Sequence, residues 1–209
     1  MNKVTYRDLA KTDYNRIKQL ISEAFGFGEF IKDTKFLDSI LNIYLQGCLL
    51  DSSFSKVAEK DNQVIGIILG NAKEDKKHLR KFSNMLSWAS SGTKLAFSSK
   101  ENKKAVKEFS KVTKTYNELI CGKQNDFQGC IQLFIVSKES RGLGVGKTLI
   151  KYLSDYMVSM DVSSIYLYTD TRCNYGFYDS QNFKRLSEKE IYFESVPEKL
   201  NVFLYGYKF

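Results

Sequence analysis

Residues 129–148 read Gly129-Cys-Ile-Gln-Leu-Phe-Ile-Val136, Ser137-Lys-Glu-Ser140, Arg141-Gly-Leu-Gly-Val-Gly146 and Lys147-Thr148. The first segment is a nearly unbroken apolar run of strand length, which predicts a buried strand. Beyond the glycines, Leu149, Ile150, Leu153, Met157 and Met160 recur at helical spacing, so an amphipathic helix follows. Glycines at 142, 144 and 146 let backbone N–H groups turn toward a common point without interference from Cβ atoms. A helix starting near Gly146 adds its positive amino end. Strand, glycine loop and helix together make a cradle for a phosphate or pyrophosphate, with Arg141 and Lys147 able to add charge at its rim.

Three patterns compete for this segment. A P-loop ends in Gly-Lys-Ser/Thr, which Gly146-Lys147-Thr148 supplies, but Arg141 stands where its first glycine belongs. Ile165 to Asp170 would then be its acidic partner strand, with few residues left for a nucleotide-binding sheet. The dinucleotide fingerprint Gly-x-Gly-x-x-Gly fails on spacing, because these glycines fall at every second position. The pattern Arg/Gln-x-x-Gly-x-Gly/Ala fits Arg141 to Gly146 without amendment.

Working outward, Val4–Leu9 reads as a short strand. Ile17, Leu20, Ile21, Ala24 and Phe25 then mark a helix that Thr12 or Asp13 can cap. Gly26 and Gly28 break it, and Phe36, Leu37, Ile40, Leu41, Tyr44 and Leu45 begin another helix. Phe54–Lys60 and Gln63–Gly70 flank Asp61-Asn62 as a β-hairpin. Ser164–Thr169 is a further strand, Cys173–Gln181 a short helix, and Lys184–Phe193 and Asn201–Lys208 alternate as strands.

The chain has 209 residues and a net charge of +8. Between Ala72 and Gln124 stand 13 Lys and Arg against 5 Asp and Glu, which accounts for the whole excess; elsewhere there are 19 of each sign. This basic segment reads as a helical hairpin. Leu79, Phe82, Leu86 and Ala89 line one arm, Ser90–Thr93 form the loop, and Ala105, Phe109, Val112, Tyr116 and Leu119 line the other. Lys103, Lys104, Lys107, Lys111 and Lys114 lie opposite, a pattern that a solvated helix face explains first. The reading is therefore one domain over 1–209, with a basic helical insertion over 72–126.

Composition excludes several classes. No apolar run reaches the roughly 20 residues of a membrane span, and the amino terminus lacks a signal-like apolar stretch. Cys48, Cys121, Cys130 and Cys173 are far apart with no C-x-x-C pair, so a zinc ribbon or disulfide framework is not expected. One histidine, His78, argues against His-rich metal sites and a His-centred triad. The expected setting is a reducing cytoplasm, with no metal bound.

The Arg141–Gly146 loop resembles the acetyl-coenzyme A loop of the GNAT family, the Gcn5-related N-acetyltransferases. The hairpin VAEKDNQVIGIILG resembles the family's second and third strands, and the order of elements is also similar. Phe177-Tyr-Asp-Ser-Gln-Asn-Phe183 resembles its Phe-Tyr-x-x-x-Gly-Phe segment, with Asn182 in place of glycine. The resemblance covers about three quarters of the chain; the insertion is the departure. It implies an α/β (α+β) fold, with a mixed, mostly antiparallel central sheet flanked by helices. It further implies acetyl-CoA as cosubstrate and an N-acetyltransferase in which an amine attacks the thioester directly.

Carried over by position, Phe134, Ile135 and Val136 would offer backbone groups to pantetheine. Arg141, Gly142, Leu143, Gly144, Val145, Gly146, Lys147 and Thr148 would surround the pyrophosphate. Tyr178 matches the family tyrosine that protonates the departing thiolate, and its ordinary pKa near 10 suits a general acid. The family's asparagine slot holds Thr171, which leaves nearby Asn174 as a weaker cofactor-binding candidate. Phe27 and Glu29 would line the acceptor site, and the fourth strand offers no carboxylate as a base. Cys130 and Cys173 are expected to be buried, inert thiols. The acceptor is a small-molecule amine or a peptide amine. A coenzyme A-binding module without transfer is one alternative; a tRNA-docking acetyltransferase that uses the insertion is another, not favoured. A homo-oligomer is left open.

Overall fold

The structure, a computed structural model, describes residues 3–76, 79, 86, 87, 89–92, 99–194 and 199–209, with backbone alone at 30, 100, 101 and 105. Expectations that rest on His78, Phe82 or Thr93 lie outside these residues. Seven strands form one sheet in the order β1-β2-β3-β4-β5-β7-β6. They are β1 (Thr5–Arg7), β2 (Phe54–Lys60), β3 (Gln63–Ala72), β4 (Gly129–Val136), β5 (Ser164–Asp170), β6 (Lys184–Tyr192) and β7 (Lys199–Lys208). All neighbours are antiparallel except β4 and β5. This is the mixed, mostly antiparallel α/β architecture that the family resemblance implies. The β2–β3 turn places both Asp61 (φ 53°) and Asn62 (φ 60°) in the left-handed region, as a two-residue hairpin turn requires.

Helices α1 (Tyr14–Phe25), α2 (Phe27–Phe30), α3 (Thr34–Leu50) and α4 (Lys100–Ile120) cover one face of the sheet. Helix α5 (Val145–Ser159) lies on the other, and short α6 (Gly176–Ser180) packs beside it. Under α1 and α3, Ile17, Leu20, Ile21, Leu45 and Leu49 meet Val57, Ile67, Leu69 and Leu133 of the sheet. Under α5, Leu149, Leu153 and Met157 meet Ile68, Ile131, Ile165 and Leu167. Each fully buried aliphatic side chain of this kind is worth roughly 1.5–3 kcal/mol.

Two local readings differ in the structure. Asp13 does not cap α1 through its side chain; its carboxylate accepts from Ala10 N at 2.8 Å and from Arg7 Nη1 and Nη2 at 2.7 and 2.8 Å. Charge-assisted bonds from the Arg7 guanidinium to both oxygens hold the carboxylate away from the helix N–H groups. Residues 90–92, read as loop, are helical: the buried Ser91 hydroxyl accepts from Asn42 Nδ2 at 2.9 Å, which ties that turn to α3. Helix α5 begins at Val145, in keeping with the expected start near Gly146, with Gly144 as its cap at φ 75°.

The second arm of the insertion, α4, is not a detached lysine-rich helix. Val112, Tyr116, Leu119 and Ile120 pack on β5, β6 and β7, while Val106 and Phe109 join the cluster under α1 and α3. Part of its charge is engaged within the chain. Lys111 pairs with Glu108 and Glu194, Lys114 with Glu118, and Glu118 also with Lys189. Lys103, Lys104 and Lys107 remain exposed.

Candidate functional site

β4 and β5 pair only at Gly129↔Ile165 and Cys130↔Tyr166, then part. From Ile131 to Val136, β4 keeps its hydrogen bonds to β3 and presents its other edge to the opening gap. A register shift against β3 between Leu69 and Gly70 leaves Gln132 without a Cα partner, an extra residue that bends the strand there. Parallel strands need a crossover, here the Ser137–Gly144 loop and α5, so the glycine loop emerges at the top of the gap.

The loop has the shape its glycines permit. Gly142 (φ 82°) and Gly144 (φ 75°) both sit in the left-handed region, and a Cβ at either would face open space. These two glycines are therefore needed for backbone direction, not for room. Gly146 is the reverse case: a Cβ there would lie 3.2 Å from the Phe177 ring and 3.5 Å from that of Phe134. Thr148 N and Oγ1 both donate to Gly144 O at 3.1 Å, which closes the first turn. Helix geometry leaves the N–H groups ahead of it without intrahelical acceptors, facing outward with the positive end of α5. Arg141 and Lys147 are exposed beside them, and neither has an ion-pair partner among the described residues.

Phe134, the loop and α6 therefore converge. The Phe134 ring centroid lies 5.5 Å from that of Phe177 and 6.2 Å from that of Tyr178. Tyr178 is 8% exposed, held among Phe177, Phe183 and Tyr205. Burial pushes its phenol well above the ordinary value, so it keeps its proton at neutral pH. Ile135 is buried toward α1 and α3, and Val136 packs toward α5. Asn174 is exposed in the loop between β5 and α6.

Phe27 and Glu29 lie on the other face. Phe27 is 6% exposed, its ring against Phe25, Tyr44 and Phe109, so it is a packing residue between α1, α3 and α4. Glu29 is exposed at the α1–α2 turn. A Cβ built on Gly26 would sit 3.2 Å from Glu29 Oε2 and 3.5 Å from Arg172 Nη1, so these opposite charges share that corner. Cys130 is buried as expected and Cys173 is half-buried; desolvation raises the first to about 11 and the second to about 12, away from thiolate chemistry.

Asp170, which sequence patterning marks only as the acidic end of a P-loop partner strand, belongs to this site's surroundings. It ends β5 at 6% exposure and accepts from Arg172 N at 2.8 Å. Burial raises its pKa, and its charge is felt at Tyr44, Tyr116, Cys173 and Tyr178. No spacing rule marks it, because those four partners come from α3, α4 and the β5–α6 segment. Among the described residues, no three His, Cys, Asp or Glu side chains cluster as a metal site, and no helix is long and apolar enough to cross a membrane.

The model of the Acetyltransferase (GNAT) family matches residues 114–183, a span that contains β4, the glycine loop, β5 and Tyr178. Solved structures of such acetyltransferases overlay nearly the whole chain. The chain carries the GNAT fold. One such structure is the ribosomal-protein-S18-alanine N-acetyltransferase from Escherichia coli, 8% identical, with a TM-score of 0.54 over 99% of this chain and 94% of that one. Arabidopsis thaliana NAA60, in complex with a bisubstrate analogue, gives 14% and 0.54 over 99% and 98%. An agmatine N-acetyltransferase gives 8% and 0.57 over 99% of each chain. At these identities the likeness is one of fold. No curated protein matches the chain in sequence.

Proposed function

We propose that the chain is an acetyl-CoA-dependent N-acetyltransferase. The observation that carries this reading is the parting of β4 from β5 directly below a glycine loop at a helix amino end, with Tyr178 beside the gap. The residues present suit the cosubstrate. The free edge of Phe134, Ile135 and Val136 would hold the pantetheine amides. The outward N–H groups of Gly142 to Lys147, with the Arg141 and Lys147 side chains, would hold the pyrophosphate. The bound thioester supplies the acetyl group to the attacking amine. The chain's part is to fix the two reactants in line and to place a proton on the departing sulfur from the Tyr178 hydroxyl.

Calorimetric titration with acetyl-CoA, followed by thiol release with an amine panel, tests the reading. Tyr178→Phe should lower kcat by about 10²-fold or more, the scale of general acid catalysis, while acetyl-CoA affinity holds. Unchanged turnover would remove Tyr178 from the mechanism. Absence of acetyl-CoA binding would remove the enzyme reading altogether.

A further inference from the structure

The insertion bears on which acceptors can reach the gap. Helix α4 lies across the sheet face opposite α5 and is tied down along its length. The Phe109 ring sits 4.7 Å from Phe27 at the α1–α2 turn. At the end of β6, Glu108 accepts from Glu194 N at 2.9 Å and Lys111 donates to Tyr192 O at 3.3 Å. Tyr116 stacks on Tyr168 of β5 at 4.2 Å with 6° between planes, and Glu118 pairs with Lys189 of β6. An extended peptide laid over this face of β5 would have to displace the whole helix.

A smaller space lies near the segment that follows α4. Where β4 and β5 begin to part there is a cavity of about 210 Å³. That is below the roughly 300–1,000 Å³ of pockets that enclose drug-sized ligands. Its polar lining is Asp51, Asn71, Lys73, Cys130, Gln132 and Tyr166. Every one of these groups except Lys73 can accept a hydrogen bond. Asn71 Oδ1 is buried and makes no hydrogen bond, a cost that an N–H donor would relieve. Gln132, the bulge residue, turns its Nε2 to Cys130 Sγ at 3.3 Å, which leaves its oxygen free to accept. Asp51 closes α3, so its charge adds to the negative end of that helix. That charge is felt at Cys130 and Tyr166, and at Cys130 it outweighs the opposing effect of Lys73. The Lys73 ammonium is itself drawn to Gln124 O, 2.6 Å away.

We infer that this cavity is the acceptor subsite and that it takes a compact cationic amine, a short diamine in chemical class, in preference to a peptide amino terminus. The inference rests on the acetyltransferase reading and adds to it the substrate class and the residues that select it. In this arrangement Asp51 draws in the ammonium end, while Asn71 and Gln132 accept from the amine.

The experiment uses the full chain, with 1,4-diaminobutane and an uncharged-side-chain hexapeptide as acceptors, and thiol release and calorimetry as readouts. The diamine should turn over with the higher kcat/KM. Asp51→Asn should raise its KM about tenfold or more with little change in kcat or in acetyl-CoA affinity, since only a remote charged contact is lost. Gln132→Met, nearly isosteric, should weaken the diamine in the same way and guards against a folding artefact at position 51. Preferential use of the hexapeptide, or a diamine KM that neither variant moves, would overturn the inference while leaving the enzyme reading intact. Failure to bind acetyl-CoA would overturn both.

Discussion

Two buried aspartates carry opposite pH signatures. Asp13 is held below the usual carboxylate range by its hydrogen bonds to Arg7, so the unfolded chain takes up its proton first as pH falls. The stability it contributes is present above that usual range and is lost as pH drops through the depressed folded value. Asp13→Asn should therefore cost roughly 1–3 kcal/mol at pH 7, toward the lower end because Arg7 is 37% exposed, and little at pH 2. Asp170 is raised by burial, so the folded state keeps its proton to higher pH than the unfolded one. Its ionisation erodes stability as pH climbs from the usual carboxylate value to the raised one, and the loss persists above. Asp170→Asn should accordingly raise the urea midpoint at pH 7, with the gain vanishing by pH 3. Denaturation curves at the two pH values check both signs. Neither behaviour can be read from residue type, because one carboxylate is held by direct hydrogen bonds from a guanidinium, while for the other burial outweighs the backbone N–H groups and the Arg172 charge that favour ionisation.

Among the elements, β4 with its following loop is the most constrained. A Cβ at Gly129 would lie 2.7 Å from the Asn71 backbone oxygen and 3.1 Å from Met157 Sδ. Because a strand oxygen cannot move aside as a side chain can, Gly129→Ala should destabilise by about 1–3 kcal/mol in chemical denaturation. Gly144→Ala tests a different property. Space is open there, but φ 75° costs an alanine roughly 1–2 kcal/mol. The variant should fold with a modest loss and bind acetyl-CoA more weakly, because its loop N–H groups turn away from their common point. Equal acetyl-CoA affinity in the two proteins would dissociate the loop geometry from binding. Strand, loop and helix were legible here because each depends on neighbours in sequence: an apolar run, glycines at alternate positions, and an apolar period of 3.6 residues. The bulge at Gln132 was not, since it is defined by register against β3.

At the scale of the whole molecule, the three clusters share one sheet, and a ligand in the β4–β5 gap would touch elements from both faces. Acetyl-CoA at 100 times its dissociation constant should then raise unfolding free energy by about 2.7 kcal/mol. For a chain of this size that corresponds to a rise in Tm of roughly 5–11 °C. A thermal shift series in acetyl-CoA, with ATP and magnesium as the control, measures it; stabilisation by ATP alone would favour the P-loop alternative. The same integration explains α4. Its lysines dominated the sequence, yet its apolar side is what places it over β5, β6 and β7.

The amino-acid sequence alone determined the hairpin turn at Asp61-Asn62, the buried fourth strand, the glycine loop and the amphipathic helix behind it. Each is set by steric and apolar periodicities within a few residues, which no distant contact had reason to overrule. Tertiary structure decided that Arg7 takes Asp13 from its cap, that Phe27 is packed between helices, and that α4 is laid across the sheet. It also decided that Asp51, Asn71, Gln132 and Tyr166, spread over more than a hundred positions, line one cavity. Those outcomes depend on which strands pair and where two of them part, and pairing between distant segments leaves no mark in any local window.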